Sequence, residues 1–180
     1  FQPSSLSVLT PTGVFSSIET KLTEIDSVSW SESEHSVVFT ALTAESTNEY
    51  DLNHFDWRGE GRGEGFSPRF LTLFVWSLLS DKAPKMIDLR RMDEPHFVSH
   101  PCFLGDKVFC LVQIVSKTAP AGRVFCTNRP GFVAEVTPDG HLRELPNTRG
   151  VGLRNLAVCG SLLFWLAASS TLMHASSSSI

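Results

Sequence analysis

Two histidines and a cysteine form the most chemically suggestive cluster of the sequence. His96, His100 and Cys102 lie in the segment HFVSHPC, and imidazole and thiolate groups are common zinc ligands. A helix would place the two histidines on one face, but Pro95, Pro101 and the apolar neighbours indicate a strand. On a regular strand the even separations would place all three side chains on one face. We favour strand packing over a metal site and expect no metal ligands here.

The segment GEGRGEG, residues 59–65, has the glycine content of a phosphate-binding loop. Such loops connect a strand to a helix and keep a dedicated lysine or a fixed glycine spacing. Here a strand-like segment follows, and Glu60 and Glu64 would repel a phosphate. We therefore expect a solvated loop without a phosphate or any other cofactor.

The cysteine spacing bears on metal binding and on the cellular compartment. Cys102, Cys110, Cys126 and Cys159 show neither a Cys-x-x-Cys motif nor a closely spaced pair, and the sequence lacks an Asn-x-Ser/Thr sequon. This pattern favours small packing residues over a zinc site or a redox pair. Reduced cysteines are typical of the cytoplasm, which is the location that we predict.

Several isolated residues suggest binding without fixing a site. Arg123, Arg129 and Arg143 are scattered along the sequence, and single arginines at strand ends are usually solvated, with substrate recognition as the alternative. The Asp-Trp-Arg segment at 56–58 would anchor the base of a long loop, with a substrate contact as the alternative. The sequence gives no reason to assign a catalytic, cofactor-binding or metal-binding residue.

Composition limits the possible partners. The chain has 180 residues, 42% of them hydrophobic and 19% charged, and a formal net charge of −4. This charge offers no electrostatic reason to expect nucleic acid or an anionic membrane as a partner. Residues 155–173 carry no charge, but Gly160 and several serines argue for a buried strand rather than a membrane span. The first residue, Phe1, and the serine-rich end lead us to interpret the chain as part of a longer protein.

The elements that would position any functional residue are repeated strand pairs. The segments SVLTPTGVFSSIETKL (residues 7–22) and AEVTPDGHLRELPNTR (residues 134–149) align, with Thr-Pro-x-Gly at the turn of each. Proline and glycine supply the backbone angles that tight turns need. Further strand pairs surround corners at residues 32–35, 105–107 and 159–161, and an Asn-Arg-Pro-Gly corner precedes the strand that starts at Phe132.

This order predicts an all-β fold, a partial β-propeller of four-stranded antiparallel blades. We expect a half blade at residues 5–22, a blade at 26–92 with an inserted loop at 43–68, a blade at 96–146 and a half blade at 153–168. Residues 169–180 are predicted to be a disordered tail. The second strands KVFCLVQIV and SLLFWLAA are apolar on both faces, as strands packed between neighbouring blades would be. Trp30 and Trp165 are predicted to fill the space between blades.

Three segments, in order, resemble the N-terminal propeller of the acylaminoacyl-peptidases, within the prolyl oligopeptidase family of serine hydrolases. They are DSVSWSESEHSVVFTA, HFDWRGEGRGEGFSPRFLTLFVWSL and PCFLGDKVFCLVQIV followed by RVFCTNRPGFVAEVTPDGHLREL. The Phe-Cys-Thr-Asn-Arg run at 125–129 is the most specific part. The resemblance spans roughly residues 5–167 and departs from the family pattern at Val158, Cys159 and Gly160, where a Ser-Pro-Asp corner would be expected.

The resemblance implies a partner domain and a substrate class. In this family a propeller covers an α/β-hydrolase domain whose Ser–His–Asp triad releases an N-acylated amino acid from a short acylated peptide, and the full enzyme forms homo-oligomers. A Gly-x-Ser-x-Gly nucleophile motif is absent from this sequence. The resemblance therefore implies a non-catalytic segment, which would act as a steric gate for short acylated peptides.

Two alternatives remain open from the sequence. One is a non-enzymatic propeller of the kelch or WD type that binds protein partners, although the Gly-Gly and Trp-Asp marks of those blades are absent. The other is a membrane-anchored propeller, which rests only on residues 155–173. A propeller that is not closed would expose strand edges and apolar faces, so we also expect the isolated chain to self-associate.

Overall fold

The computed structural model describes residues 5–9, 15–19, 22–42, 72–79, 83–87, 96–114, 130–137, 140–168 and 178–179, and the structural statements below concern these residues. They contain strands and turns but no helix, which confirms the predicted all-β class. The strands are β1 (Ser5–Leu9), β2 (Phe15–Glu19), β3 (Thr23–Trp30), β4 (Ser36–Leu42), β5 (Thr72–Ser77), β6 (Lys85–Ile87), β7 (His96–Leu104), β8 (Lys107–Ile114), β9 (Pro130–Val136), β10 (Leu142–Glu144), β11 (Gly150–Cys159), β12 (Leu162–Ala168) and β13 (Ser178–Ser179).

The first four-stranded sheet consists of β3, β4, β5 and β6 in chain order, with each strand antiparallel to the next. This is the strand order expected for residues 26–92. The backbone N–H and side chain of Ser31 fix the β3–β4 turn: Ser31 N donates to the carbonyl of Ser36 (2.9 Å), and Ser36 N donates to Ser31 Oγ (3.0 Å). The predicted insertion, residues 43–68, lies outside the described residues.

Strands β7, β8, β9 and β10 repeat the same order within residues 96–146. The corners predicted after β7 and β11 are two-residue turns, closed by the pairs Leu104↔Lys107 and Cys159↔Leu162. The β11–β12 hairpin is joined to this second sheet, because Gly150 and Val151 at the start of β11 pair with β9. Beyond these two pairs, the hairpin packs on the face of the second sheet.

The sequence alignment of the two Thr-Pro-x-Gly hairpins holds at the level of strand register. In β1–β2, Leu9 pairs with Phe15 and Ser7 pairs with Ser17. The aligned pairs in β9–β10 are Val136↔Leu142 and Ala134↔Glu144. Because both hairpins share one register, β1 and β2 correspond to the third and fourth strands of a four-stranded unit.

The segment between β10 and β11 is tied back to β9 by a buried threonine. The Val133 N–H donates to Thr148 Oγ1 (3.1 Å), and Thr148 Oγ1 donates to the carbonyl of Leu145 (2.8 Å). Arg149 adds a bidentate pair with Glu144, with both N···O distances at 2.7 Å. The two threonine bonds satisfy backbone groups of Val133 and Leu145, and the ion pair links the end of β10 to the residue before β11.

The sheets pack face to face in chain order, with apolar side chains between them. One cluster lies between the first and second sheets and includes Val38, Leu73, Val98 and Val112. A second lies between the second sheet and the β11–β12 hairpin, and a third lies on the outer side of the first sheet, where Leu6 and Leu22 also pack. Burial of these apolar side chains is the main contribution to the stability of such a stack.

The middle strand β8 is buried on both faces, as predicted. Val108, Cys110 and Val112 face the first sheet, whereas Phe109 and Leu111 face the β11–β12 hairpin. The same prediction is wrong for β12. Its Leu163, Trp165 and Ala167 pack against the second sheet, but Leu162 and Phe164 on the other face are 60% and 40% exposed, because no described segment covers that face.

The two tryptophans that were predicted to pack between blades have different environments. Trp165 packs against the cluster between the second sheet and the β11–β12 hairpin, which agrees with the prediction. Trp30 is 46% exposed, which contradicts it. Trp30 pairs with Val37 on the outer side of the first sheet, where β1–β2 cover only part of the surface.

The predicted Asn-Arg-Pro-Gly corner is wrong in its second half, because Pro130 and Gly131 begin strand β9. A proline at the first strand position loses no ladder hydrogen bond. A Cβ at Gly131 would lie 2.3 Å from the carbonyl oxygen of Val112, so only glycine allows this close approach of β9 to β8. The other two residues of the corner, Asn128 and Arg129, lie outside the described residues.

In the described residues no helix is long and apolar enough to span a membrane. The uncharged segment instead forms the end of β11 and all of β12 as far as Ala168. Most of the predicted tail, residues 169–180, lies outside the described residues. Ser178 and Ser179 differ from the predicted disorder, because they form β13 and pair with Ala168 and Ala167 at the edge of β12.

The double burial of β8 leads to a stability prediction. Leu111 is fully buried and packs on the β11–β12 side, so Leu111→Ala should lower the free energy of unfolding by roughly 2–5 kcal/mol. Leu79, which is 75% exposed, is the matched control. Leu79→Ala should change the free energy of unfolding by less than about 0.5 kcal/mol. Urea unfolding followed by circular dichroism measures both values. Equal effects of the two substitutions would contradict the assignment of β8 to the core.

Candidate functional site

The first strands of the three hairpins β3–β4, β7–β8 and β11–β12 lie side by side. Strand β7 contacts β3 and β4 on one side and β11 on the other. Sheets that stack through their faces bring strands with the same position in each sheet close together. Side chains on β3, β7 and β11 are therefore placed near one another although they are far apart in sequence.

Each of these first strands contains a β-bulge at the same position. The ladder shifts by one residue after the pairs Asp26↔Thr40, Ser99↔Leu111 and Arg154↔Leu166. The residue that follows the paired residue in each first strand has a left-handed backbone: Ser27 (φ 31°), His100 (φ 48°) and Asn155 (φ 55°). A left-handed non-glycine residue is uncommon, and bulges often lie next to functional sites.

The bulges collect polar residues on the first strands. We define the polar row as the residue before each shift together with the left-handed residue, namely Asp26, Ser27, Ser99, His100, Arg154 and Asn155. All six are exposed or half-buried. The neighbouring middle strands are apolar and mostly buried, so hydrogen-bonding side chains are concentrated along this row.

The polar row combines hydrogen-bond donors and acceptors. Its carboxylate and amide accept hydrogen bonds, its guanidinium and amide donate them, and its hydroxyl and imidazole groups do both. Within the row, Ser27 Oγ donates to Asp26 Oδ2 at 3.1 Å. Asp26 and Arg154 also place opposite charges on the two outer strands of the row.

Sequence reasoning missed the polar row because no proline or glycine lies beside Ser27 or Asn155, and Pro101, which lies in the β7 bulge, was interpreted only as evidence against a helix. The signal that would have found it is the alignment of the three hairpins at their turns, which places Ser27, His100 and Asn155 at equivalent positions. Asparagine and histidine are enriched in the left-handed region, but serine is not, so composition alone does not indicate the bulge in β3.

The bulge also corrects the prediction that His96, His100 and Cys102 share one face. His96 pairs with Ile114, which packs with the cluster facing the first sheet, whereas Cys102 is buried in the cluster on the opposite side of β7. The extra residue in the bulge reverses the alternation of side chains between these positions. Among the described residues no group of three or more His, Cys, Asp or Glu side chains is arranged to hold a metal ion.

The described cysteines are unpaired, and the two inner thiols are buried. Burial raises the pKa of Cys102 to about 11, and it also raises the pKa of Cys110, where the neighbouring Cys102 adds to the effect. A thiol with a raised pKa carries little thiolate at neutral pH and is a poor nucleophile. Cys159 is exposed at the β11–β12 turn, and Cys126 lies outside the described residues.

Of the three arginines weighed above, only Arg143 lies in the described residues, and it has a structural partner. Arg143 on β10 forms an ion pair with Glu135 on β9, and Lys107 Nζ lies 3.2 Å from the same carboxylate. The hydrogen bond from Arg143 and, less strongly, that from Lys107 hold the pKa of Glu135 below its usual value against the opposing effect of desolvation. Arg143 therefore links β10 to β9 in the second sheet. Arg123, Arg129 and the segment 56–58 lie outside the described residues.

The lowered pKa of Glu135 predicts a pH-dependent contribution to stability. The ionised carboxylate is favoured in the folded state, so its contribution is present above the ordinary glutamate pKa of about 4.3 and is lost as the pH falls through the lowered value. Glu135→Gln should lower the urea midpoint at pH 7, and the difference from the unmodified chain should shrink towards about pH 3. Glu144→Gln is the matched control, because its pair with Arg149 is more exposed and should contribute less. A difference at Glu135 that does not change with pH would contradict this account.

A scan against protein-family models finds no match for this chain, and a search of curated protein sequences finds no significant relative. A proposal for the function therefore rests on the sequence resemblance and on the geometry of the described strands.

Proposed function

We propose that the chain is a non-catalytic propeller segment of a cytosolic serine hydrolase that releases N-acylated amino acids from short acylated peptides. Its role is a steric gate that restricts entry to short or unfolded peptides. The observation that carries the proposal is the stack of repeated antiparallel sheets whose first strands lie side by side and present the polar row. In a propeller these strands are the ones nearest the axis, where a peptide would pass.

Two further features support the proposal. Two of the segments that resemble the acylaminoacyl-peptidases fall on equivalent hairpins of this chain, since DSVSWSESEHSVVFTA covers most of β3–β4 and PCFLGDKVFCLVQIV covers most of β7–β8. The described cysteines are free thiols, which is typical of the cytosol. The chemistry itself belongs to the partner α/β-hydrolase domain, where a serine attacks the acylated residue's carbonyl with histidine as the base.

The non-catalytic assignment is tested with a fluorophosphonate probe, which labels activated serines covalently. The isolated 180-residue chain should remain unlabelled, whereas the product of the complete transcript should be labelled and should hydrolyse an acetyl-aminoacyl anilide. The downstream reading frame should then contain Gly-x-Ser-x-Gly followed by Asp and His. Labelling of the isolated chain would contradict the proposal. A transcript without the nucleophile motif would favour the protein-binding scaffold instead.

The gate role predicts a change in size selectivity when the polar row is made bulkier. Asp26 is exposed at the row, so Asp26→Trp in the complete protein should lower kcat/KM for a longer acetylated peptide more than for an acetyl-aminoacyl anilide. Glu32→Trp, at an exposed position of the β3–β4 turn, is the matched control and should affect both substrates equally. An equal loss for both substrates with Asp26→Trp would contradict the gate role.

A further inference from the structure

The first strands that carry the polar row contain a single permanent cation. Among β3, β7 and β11, Arg154 is the only lysine or arginine, and it is half-buried. It lies directly before the left-handed Asn155, which is exposed. The β11 end of the polar row therefore combines a guanidinium with the amide of its neighbour.

Three other described cations have a structural role outside the polar row. The carboxylates of Glu135 and Glu144 hold them in ion pairs, and they are Arg143, Lys107 and Arg149. These pairs lie on β8, β9, β10 and the residue before β11, so they connect strands of the second sheet and the segment that leads to the next hairpin. Arg154 is distinguished from them by its place on a first strand.

The position of Arg154 is one that stays accessible when a further sheet packs against the hairpin. The residue before each shift pairs with a residue of the second strand, and the three pairs are Asp26↔Thr40, Ser99↔Leu111 and Arg154↔Leu166. In the first two pairs the second-strand residue is fully buried, yet Asp26 is exposed and Ser99 is half-buried. A sheet that covered Leu166 in the same way would leave Arg154 accessible at the row.

The substrates of the proposed activity have one charge in common. Acylation removes the positive charge of a peptide's N terminus, so the charge that every short acylated peptide carries at neutral pH, whatever its sequence, is the C-terminal carboxylate. A guanidinium binds a carboxylate through two parallel N–H···O bonds, which a lysine ammonium cannot form. The side-chain amide of Asn155 offers a further N–H donor beside it.

We propose that Arg154 binds the C-terminal carboxylate of the acylated peptide and makes the gate selective for short peptides with a free C terminus. This assignment rests on the proposed function, because it needs a hydrolase domain that holds the acylated end. With that end at the nucleophile and the carboxylate at Arg154, only a peptide of suitable length makes both contacts. Asp26, at the β3 end of the row, would repel the carboxylate and so favours this orientation.

The assignment is tested in the complete protein with two acetylated peptides of one sequence, a free acid and its C-terminal amide. The unmodified protein should have the higher kcat/KM for the acid. Arg154→Gln should lower kcat/KM for the acid about 10- to 100-fold, mainly through KM, and should lower it much less for the amide, because only the acid loses a charge-assisted pair. Arg154→Lys should retain part of the preference, because it keeps the charge without the planar fork.

Arg149→Gln is the matched control, because it removes an exposed arginine that pairs with Glu144 outside the polar row. It should leave the ratio of the two kcat/KM values unchanged. Equal values for acid and amide in the unmodified protein, or a ratio that Arg154→Gln does not change, would overturn the role of Arg154 and leave the proposed function intact. Hydrolysis of neither peptide would overturn the proposed function and the role of Arg154 together.

Discussion

The burial of both faces of the middle strands is the constraint on which this architecture depends. A strand such as β8, with Phe109 and Leu111 on one side and Cys110 and Val112 on the other, has no face that water can solvate favourably. Each sheet that contains such a strand must therefore lie between two others. Stacking follows from this requirement, and stacking in turn places the first strands of successive sheets next to one another.

The repeated bulge explains how these first strands combine a polar and an apolar part. The shift beside Ser27, His100 and Asn155 reverses the alternation of side chains between the two faces of the strand. Residues an even number of positions apart can therefore lie on opposite faces when the shift is between them. Cys102 enters the core on one side of β7, while Val98 enters the core on the other side. The strand thereby packs against two neighbours and still exposes polar groups at one position.

Strands that end at a glycine corner or belong to a repeat could be predicted from the sequence. Features that depend on a single backbone angle could not. The Thr-Pro-x-Gly alignment predicted a hairpin correspondence that the register of β1–β2 and β9–β10 reproduces pair by pair. A local pattern did not reveal the bulge in β3, because serine is not among the residues enriched in left-handed backbone. The join between β9 and β11 and the close approach at Gly131 depend on tertiary packing, which a local pattern does not encode. The exposure of Trp30 likewise depends on which segment covers the first sheet.

The proposed gate depends on one physical requirement, which is that the ring of sheets is complete. A ring with a missing sector would let large molecules reach the axis from the side, so a steric filter needs a complete set of sheets. Whichever segment completes the set must supply a third and a fourth strand in the register of β9–β10, together with an apolar face for Leu162 and Phe164. A helix or an irregular loop would cover the apolar face but would leave the N–H and C=O groups at the edge of β12 unpaired. An antiparallel hairpin of the β1–β2 type would satisfy both requirements.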